Sequence, residues 1–369
     1  MQRDAFNVPE GRYFLTHSIG CQPKGYEAAL SAGFCEPWRT PDKEAWPAWL
    51  AAIERFRDGL APLIGARADD ICPQTNVSSA LAKILFSLPE RKGRRKIVLT
   101  EHDFPTVGFV LAQAQRFGYE LCFLPGGPRL ADPETWTAAL DGRTQLVLAT
   151  HVFSNTSVKA PVAEIARIAR EREIFSILDI AQSAGGVAIG LDGWRPDFAV
   201  GTSLKYLCGG TGAAFLWADP ETAALCKPID VGWFSHEAPF EFDIRSFRYA
   251  EGATRYFGGT ASVAPFAGAA SAHAILQEAG IETIETYNQT LLGRLIDALP
   301  RESILSMTRP GARGCGLMVR PADGEGAVAA LRASRVLFDT RLESLRFSVH
   351  FYNSEDDVDA LAALLAPYF

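Results

Sequence analysis

The chain has 369 residues, of which 48% are hydrophobic and 21% charged, and a formal net charge of −7. That length exceeds what one compact core commonly holds and predicts two domains, or one large α/β domain with an appendage, while the ordinary globular composition excludes a disordered chain and a disulfide-built miniprotein. Acidic and basic residues are interspersed, so no basic stripe offers itself to nucleic acid or to an anionic membrane surface, and a small-molecule partner is expected.

In chain order, the start MQRDAFNVPEGRYF carries Asp4 and Glu10 where a signal peptide would be apolar. No apolar run approaches the roughly 18 residues needed to cross a bilayer. Seven cysteines, widely spaced and without a C-x-x-C, read as reduced buried thiols, so a cytoplasmic protein is expected. Residues 1–30 are too few to fold alone and should pack onto the core. The stretch 44–65 has apolar residues at helical spacing and ends in Gly65, which predicts a long amphipathic helix. An extended stretch then meets the helix-like VSSALAKILFSL at Thr75, Asn76 and Ser78. Short apolar runs follow at 95–100, 120–125, 144–152, 174–180, 197–203 and 213–218, mostly alternating with helical segments such as APVAEIARIARERE. Continuous apolar strands of this kind are buried on both faces. The fold class expected is therefore α/β, with a large domain at 31–262 whose mainly parallel sheet is covered by helices. Residues 263–369 read as a smaller α+β domain: two helices, the strand-like CGLMVRP, a helix, the strand-like SLRFSVHF and a last helix. Ser354 with Asp357 reads as a capping pair that starts that helix.

In an open parallel sheet, ligands gather outside the carboxyl ends of the strands. Polar residues that follow the apolar runs are Asp179 with Gln182, Ser203 with Lys205, and His151 with Ser154 and Asn155. An ammonium delivered to the mouth of a sheet is costly, because its ordinary pKa near 10.4 leaves almost no free amine. Lys205 therefore suggests a lysine held as an imine, and pyridoxal phosphate (PLP) is the partner such a lysine most often takes. That cofactor needs a carboxylate facing its pyridine nitrogen, for which Asp179 is the candidate. It needs a phosphate cradle at a helix start, which TNVSS at 75–79 offers. A flat side chain must cover the ring, and Phe104, His102 and His151 are available. Taken singly, each of these residues is equally at home as a cap, a turn or a surface group; only their order along the chain carries weight.

The segment LDIAQSAGGVAIGLDGWRPDFAVGTSLKYLCGGTGAAFLW resembles the cofactor-lysine region of the class V aminotransferase superfamily, which includes kynureninases, cysteine desulfurases, selenocysteine lyases and isopenicillin epimerases. HSIGCQP, HDFPT, THVFSN, VGWFSHE, RYFGGTAS and LRFSVHFYNSEDDV carry the same resemblance along nearly the whole chain. The resemblance implies PLP fold type I, an amino-acid substrate and a homodimer with shared sites. It implies that Lys205 binds the cofactor, Asp179 pairs with its pyridine nitrogen and Gln182 lies near its ring hydroxyl. Thr75, Asn76 and Ser203 would hold the phosphate, joined by Thr260 from the second subunit. Asn155 would lie near ring and substrate, His151 at or beside the ring-stacking position, and Phe104 in a kynureninase-like loop. Arg346 matches the arginine that binds the substrate α-carboxylate, a role its planar fork suits.

Departures narrow the expectation. Leu204 stands before the lysine where kynureninases carry tyrosine and many desulfurases histidine. No cysteine lies between Pro321 and Arg346, where a desulfurase needs a mobile thiol, and Cys208 and Cys315 read as packing thiols. FDTRLESLRFS, with Asp339 and Arg341, is closer to kynureninase spacing. The expected activity is cleavage at the β or γ side of an amino acid by a lyase or hydrolase after α-proton removal by Lys205. Transamination or epimerisation on the same residues is the alternative, desulfuration comes after them, and a cofactor-bound scaffold or amino-acid sensor is the non-enzyme reading. The six histidines form no H-x-x-x-H or H-x-H pair, so no metal site is expected, and there is neither a nicotinamide fingerprint nor a G-x-S-x-G elbow. The aromatic segment with Trp233, Phe234, Phe240, Phe242, Phe247, Tyr249 and Tyr256 reads as substrate pocket, core or dimer contact.

Overall fold

A computed structural model, which describes residues 2–40, 44–341 and 343–369, gathers the apolar runs into one seven-stranded sheet. Its strands are β1 (Ile71–Gln74), β2 (Lys96–Thr100), β3 (Glu120–Leu124), β4 (Thr144–Thr150), β5 (Phe175–Asp179), β6 (Phe198–Thr202) and β7 (Ala214–Ala218). They lie in the order β1-β7-β6-β5-β4-β2-β3. Only β7 runs against its neighbours, antiparallel to both β6 and β1; the other pairs are parallel. Every residue of β4, β5 and β7 is buried, as continuous apolar runs between two helical layers require. The α/β fold expected from the sequence is the one observed.

The longer helices are α1 (Trp46–Leu60), α2 (Val77–Leu85), α3 (Val162–Glu171), α4 (Val263–Ala279), α5 (Ile281–Asp297), α6 (Gly324–Ala333) and α7 (Glu355–Leu365). Helix α1 buries Ala52, Ile53, Phe56 and Leu60, a stripe at helical spacing. Phe56 meets Phe266 of α4 with ring centroids 4.8 Å apart. Burying one such side chain stabilises the fold by about 2 kcal/mol. The helix stops short of the expected 65 because Pro62 has no N–H to continue the ladder, and the chain tightens into a 3-10 turn at Ala61–Ile64. Gly65 closes that turn at φ +57°, where a Cβ would lie 2.7 Å from the Cα of Gly190.

The smaller unit is a three-stranded antiparallel sheet, β8 (Gly316–Val319), β9 (Asp339–Arg341) and β10 (Ser344–Ser348), in the order β8-β10-β9. Its core joins Leu291, Leu295, Phe347, Leu361 and, from the N-terminal segment, Phe14. Helix α4 belongs instead to the large core, with Val263, Phe266, Ala272 and Leu276 packed there. Gly268, Ala269 and Ala272 keep α4 slim enough to lie close against its neighbours. Along α5, Ile284 packs into the large core and Leu291 into the core of the small sheet. Residues 12–13 extend the small unit by pairing in parallel with Val336–Leu337. Ser354 and Asp357 form the expected reciprocal cap of α7, each side chain accepting from the other's N–H at 3.1 Å. Among the described residues no helix is long and apolar enough to cross a membrane.

Candidate active site

The carboxyl ends of β4, β5 and β6 and the first turn of α2 enclose a cavity of about 340 Å³. Register brings these ends together, with Thr150 opposite Asp179 and Asp179 opposite Val200. This is where the topology of a parallel sheet leaves room for a ligand. An apolar cavity of about 240 Å³ near Leu85, Phe117 and Ile229 has no lysine or histidine in its wall and lies away from this chemistry.

Asp179 ends β5 and is 6% exposed. Its Oδ1 accepts the N–H of Ala181 at 2.9 Å. Burial raises its pKa, while that N–H and the charge of Lys205 pull the other way. Lys205 sits in the turn after β6, where the N–H of Cys208 donates to its carbonyl at 3.0 Å and that of Gly20 donates to Leu204 at 2.8 Å. Position 20 admits only glycine, since a Cβ there would lie 2.1 Å from the Lys205 carbonyl oxygen. The Lys205 Nζ stands 5.8 Å from the centre of the Phe104 ring. Among the described residues it has no carboxylate within ion-pair distance. Burial lowers its pKa against the pull of Asp179, and Arg346 and Arg341 add to the lowering.

At the start of α2, Asn76 is extended and its Oδ1 accepts the N–H of Ser79 at 2.8 Å. Val77 and Ser78, whose N–H groups have no partner within the helix, line the same cavity edge as Thr75 and Asn76. This is an anion cradle by construction. Phe104, 44% exposed, stands at the mouth, and Gln182 lines the wall with its Nε2 donating to the His17 carbonyl at 3.1 Å.

Two expectations are corrected by alternation along the strands. His151 does not line the cavity; it points behind the sheet, where its ring meets Trp194 at 5.2 Å, and its neighbours Thr150 and Val152 form the wall. Ser203 is fully buried on the far side with its Oγ 3.2 Å from the His273 Nε2, and Thr202 takes the cavity position. Consecutive residues of an extended segment face opposite ways, so a one-residue shift exchanges wall and back. Asn155 lies beside the wall on the turn after Ser154, and its buried Oδ1 has no hydrogen-bond partner. Thr260 is exposed and outside the cavity of this chain. The aromatic segment supplies no wall either: Trp233, Phe234, Phe240 and Phe242 pack on one another, Trp233 also meets Trp46, and Tyr256 is buried beneath them, bonded to Ser87.

Arg346 lies 3% exposed in an adjoining chamber of about 10 Å³ that shares Val152, Ser154 and Gln182 with the larger cavity. Its Nη1 donates to the Ser154 carbonyl at 2.7 Å. Its Nε donates to Asp339 Oδ1 at 2.7 Å and its Nη2 to Asp339 Oδ2, a two-point grip set by the register of β9 opposite β10. The Asp339 carboxyl is held well below the ordinary range although burial works against that: contacts with His17 and Arg346 overcome the desolvation.

Thr150, Thr202, Asp103 and the Asp339 grip were missed as site residues. Asp103 sits behind the wall, accepting from the Thr150 Oγ1 at 2.6 Å and from the Thr100 N–H at 2.7 Å. Burial pushes its pKa up to about 6 against those hydrogen bonds, with Asp179 adding to the rise. The threonines that close the apolar runs of β4 and β6 were the available signal.

The profile of the family described as "Aminotransferase class-V" matches residues 47–361. A kynureninase from Pseudomonas fluorescens is 32% identical over 278 residues, covering 72% of this chain and 65% of that protein. The matched stretch thus spans under two thirds of that relative. A kynureninase from Deinococcus radiodurans is 29% identical over 389 residues, covering 99% of this chain and 92% of the relative. Among solved structures, a C-DES mutant with glycine covalently linked to its PLP cofactor superposes with a TM-score of 0.88 at 22% identity, covering 100% of this chain and 99% of that one. That likeness concerns the fold.

Proposed function

The chain belongs to the class V aminotransferase family, and from that premise we propose that it is a PLP-dependent enzyme that cleaves a bond at the β or γ side of an amino acid. The observation that carries the reading is Lys205: a half-buried amine without a carboxylate partner among the described residues, facing the buried carboxylate of Asp179 across a cavity of about 340 Å³. The residues present fit the cofactor. Lys205 would hold it covalently, Asp179 would face its ring nitrogen, and Gln182 and Asn155 would lie along its edge. Thr75, Asn76, Thr202 and the free N–H groups of α2 would take the phosphate, with Phe104 over the ring and Thr260 reaching in from a second copy. When bound, the cofactor supplies an electron sink for a bond broken at the substrate Cα.

The protein's own groups then divide the remaining work. Arg346 directs the substrate carboxylate through the guanidinium edge that Asp339 leaves open. Lys205, its amine made available by burial, takes and returns the α-proton at Nζ. Thr150, tied to Asp103, fixes the wall beside Asp179. Sulfur transfer is disfavoured because no cysteine lines the cavity, and burial raises the Cys72 and Cys315 thiols to about 12. Kynureninase relatives favour cleavage over transamination and epimerisation. We read the working form as a cytoplasmic homodimer, since Phe240, Phe242, Ile244 and Phe247 are exposed together on the segment before Thr260.

The test is an amino-acid panel given to the purified, cofactor-loaded protein, with product analysis. Cleavage predicts keto acid or a shortened amino acid released without any added acceptor. Turnover that requires an added keto acid, or that only inverts the α-carbon, assigns the protein to the alternatives.

A further inference from the structure

His17 joins the two halves of the site through its backbone and both ring nitrogens. The segment that carries it threads between the small sheet and the Lys205 turn. Residues 12–13 pair with Val336–Leu337, just before Asp339, and the N–H of Gly20 donates to the Leu204 carbonyl at 2.8 Å. His17 itself is 4% exposed and lines the same chamber as Gln182 and Arg346. Its N–H donates to the Ser348 Oγ at 3.0 Å, and its carbonyl accepts from the Gln182 Nε2 at 3.1 Å. Ser348 ends β10 two residues beyond Arg346, on the same face. Gln182 stands in the wall of the large cavity. One residue thus ties the strand of the guanidinium to the cofactor wall.

The ring adds a directed contact. Its Nδ1 lies 2.8 Å from the Ser348 Oγ, and its Nε2 lies 3.1 Å from the Asp339 Oδ1 that takes the Arg346 Nε. Burial keeps the ring neutral, its pKa pushed down to about 4, so it carries a single proton. A bare Nε2 would set its lone pair against a carboxylate oxygen. The proton therefore belongs on Nε2, with Nδ1 accepting from the Ser348 hydroxyl. That N–H approaches Asp339 obliquely, as site contacts commonly do until a ligand tightens them, and no other acceptor among the described residues answers it.

We infer that His17 is a positioning residue: through Asp339 it fixes the Arg346 guanidinium, relative to the wall that holds Gln182, in the orientation that receives the substrate carboxylate. Without that contact the two gripped side chains could turn as a unit, since among the described residues only the bond to the Ser154 carbonyl would still hold them. This inference rests on the proposed reading of Arg346 as the carboxylate site. Every contact it uses lies within one chain, so it does not wait on a second copy.

The experiment uses the cofactor-loaded protein and its His17→Asn and His17→Gln variants. Binding of L-alanine, and of ethylamine as the same amine without a carboxylate, is followed by the visible absorption of the cofactor. Asparagine keeps a partner for Ser348 and loses the donor to Asp339, whereas glutamine keeps that donor. The expected result is at least about tenfold weaker L-alanine binding in His17→Asn, recovery to within about threefold in His17→Gln, and ethylamine binding within about threefold throughout. A purely structural role would weaken both ligands together; that outcome, or unchanged L-alanine binding in His17→Asn, overturns the inference. Should His17→Asn take up no cofactor, isotope-edited NMR of the histidine rings in the unsubstituted protein decides. The His17 ring should carry its proton on Nε2 and respond to L-alanine but not to ethylamine, and a proton on Nδ1 or equal responses overturn the inference. Equal binding of the two ligands by the unsubstituted protein overturns the carboxylate reading of Arg346 beneath it, and a lack of visible absorption overturns the cofactor reading as well.

Discussion

Whether a side chain meets the cavity is decided by single-residue alternation at the strand ends. Thr202 faces the cavity and Ser203 faces His273, although the two are neighbours in sequence and nearly alike in chemistry. Thr202→Val should therefore weaken PLP binding at least about tenfold, the loss of one hydrogen bond to a charged group, whereas Ser203→Ala should stay within about threefold. Equilibrium titration with the cofactor checks both, and the reverse order would place the wrong hydroxyl at the phosphate. Lys205, Asp179 and Gln182 were legible because each follows a strand whose apolar run announces its end. His151 and Ser203 were misread because a run of apolar letters locates a strand end without fixing which face each residue takes. Asp339 was legible only as a spacing; its grip on Arg346 depends on the register of two short strands.

At the scale of elements, the strands were plain because burial on both faces leaves little but apolar residues in them. Five-residue runs such as FSILD and AFLWA have no polar face to blur their limits. Strand β9, Asp339–Arg341, escaped notice because it sits at the edge of its sheet and carries charge at both ends. The ownership of α4 was also hidden: a helix rich in glycine and alanine shows little amphipathic contrast, so its periodicity does not reveal which core it serves. Its contact with Phe56 of α1 settles that it packs with the large sheet. The end of α7's cap, by contrast, was local chemistry between Ser354 and Asp357 and needed no tertiary information.

Across the whole molecule, burial keeps four histidines neutral, His17 among them despite its contact with Asp339. Burial pushes His17 and His273 down to about 4 and His151 and His350 to about 3. In the unfolded chain these rings take up protons near the ordinary 6.5. Their contribution to stability is therefore complete above pH 6.5 and is lost as pH falls towards 4, at about 1.4 kcal/mol per pH unit for each extra proton bound on unfolding. Asp103 opposes this with one proton, since its folded pKa of about 6 lies above its ordinary 3.8, and the raised pKa of Asp179 acts in the same sense. The histidines outnumber them. Urea midpoints measured with saturating cofactor should fall steadily from pH 7 to pH 5, with net proton uptake on unfolding; a flat or rising midpoint contradicts the buried, neutral state of these rings.

The central claim is that PLP is bound covalently at position 205, opposite the Asp179 carboxylate. Borohydride reduction of the cofactor-loaded protein, followed by proteolysis and mass spectrometry, tests it most directly. The account predicts one reduced cofactor adduct per chain, on the peptide carrying Lys205, and none in Lys205→Ala. An adduct on another lysine, or undiminished visible absorption in Lys205→Ala, would contradict it.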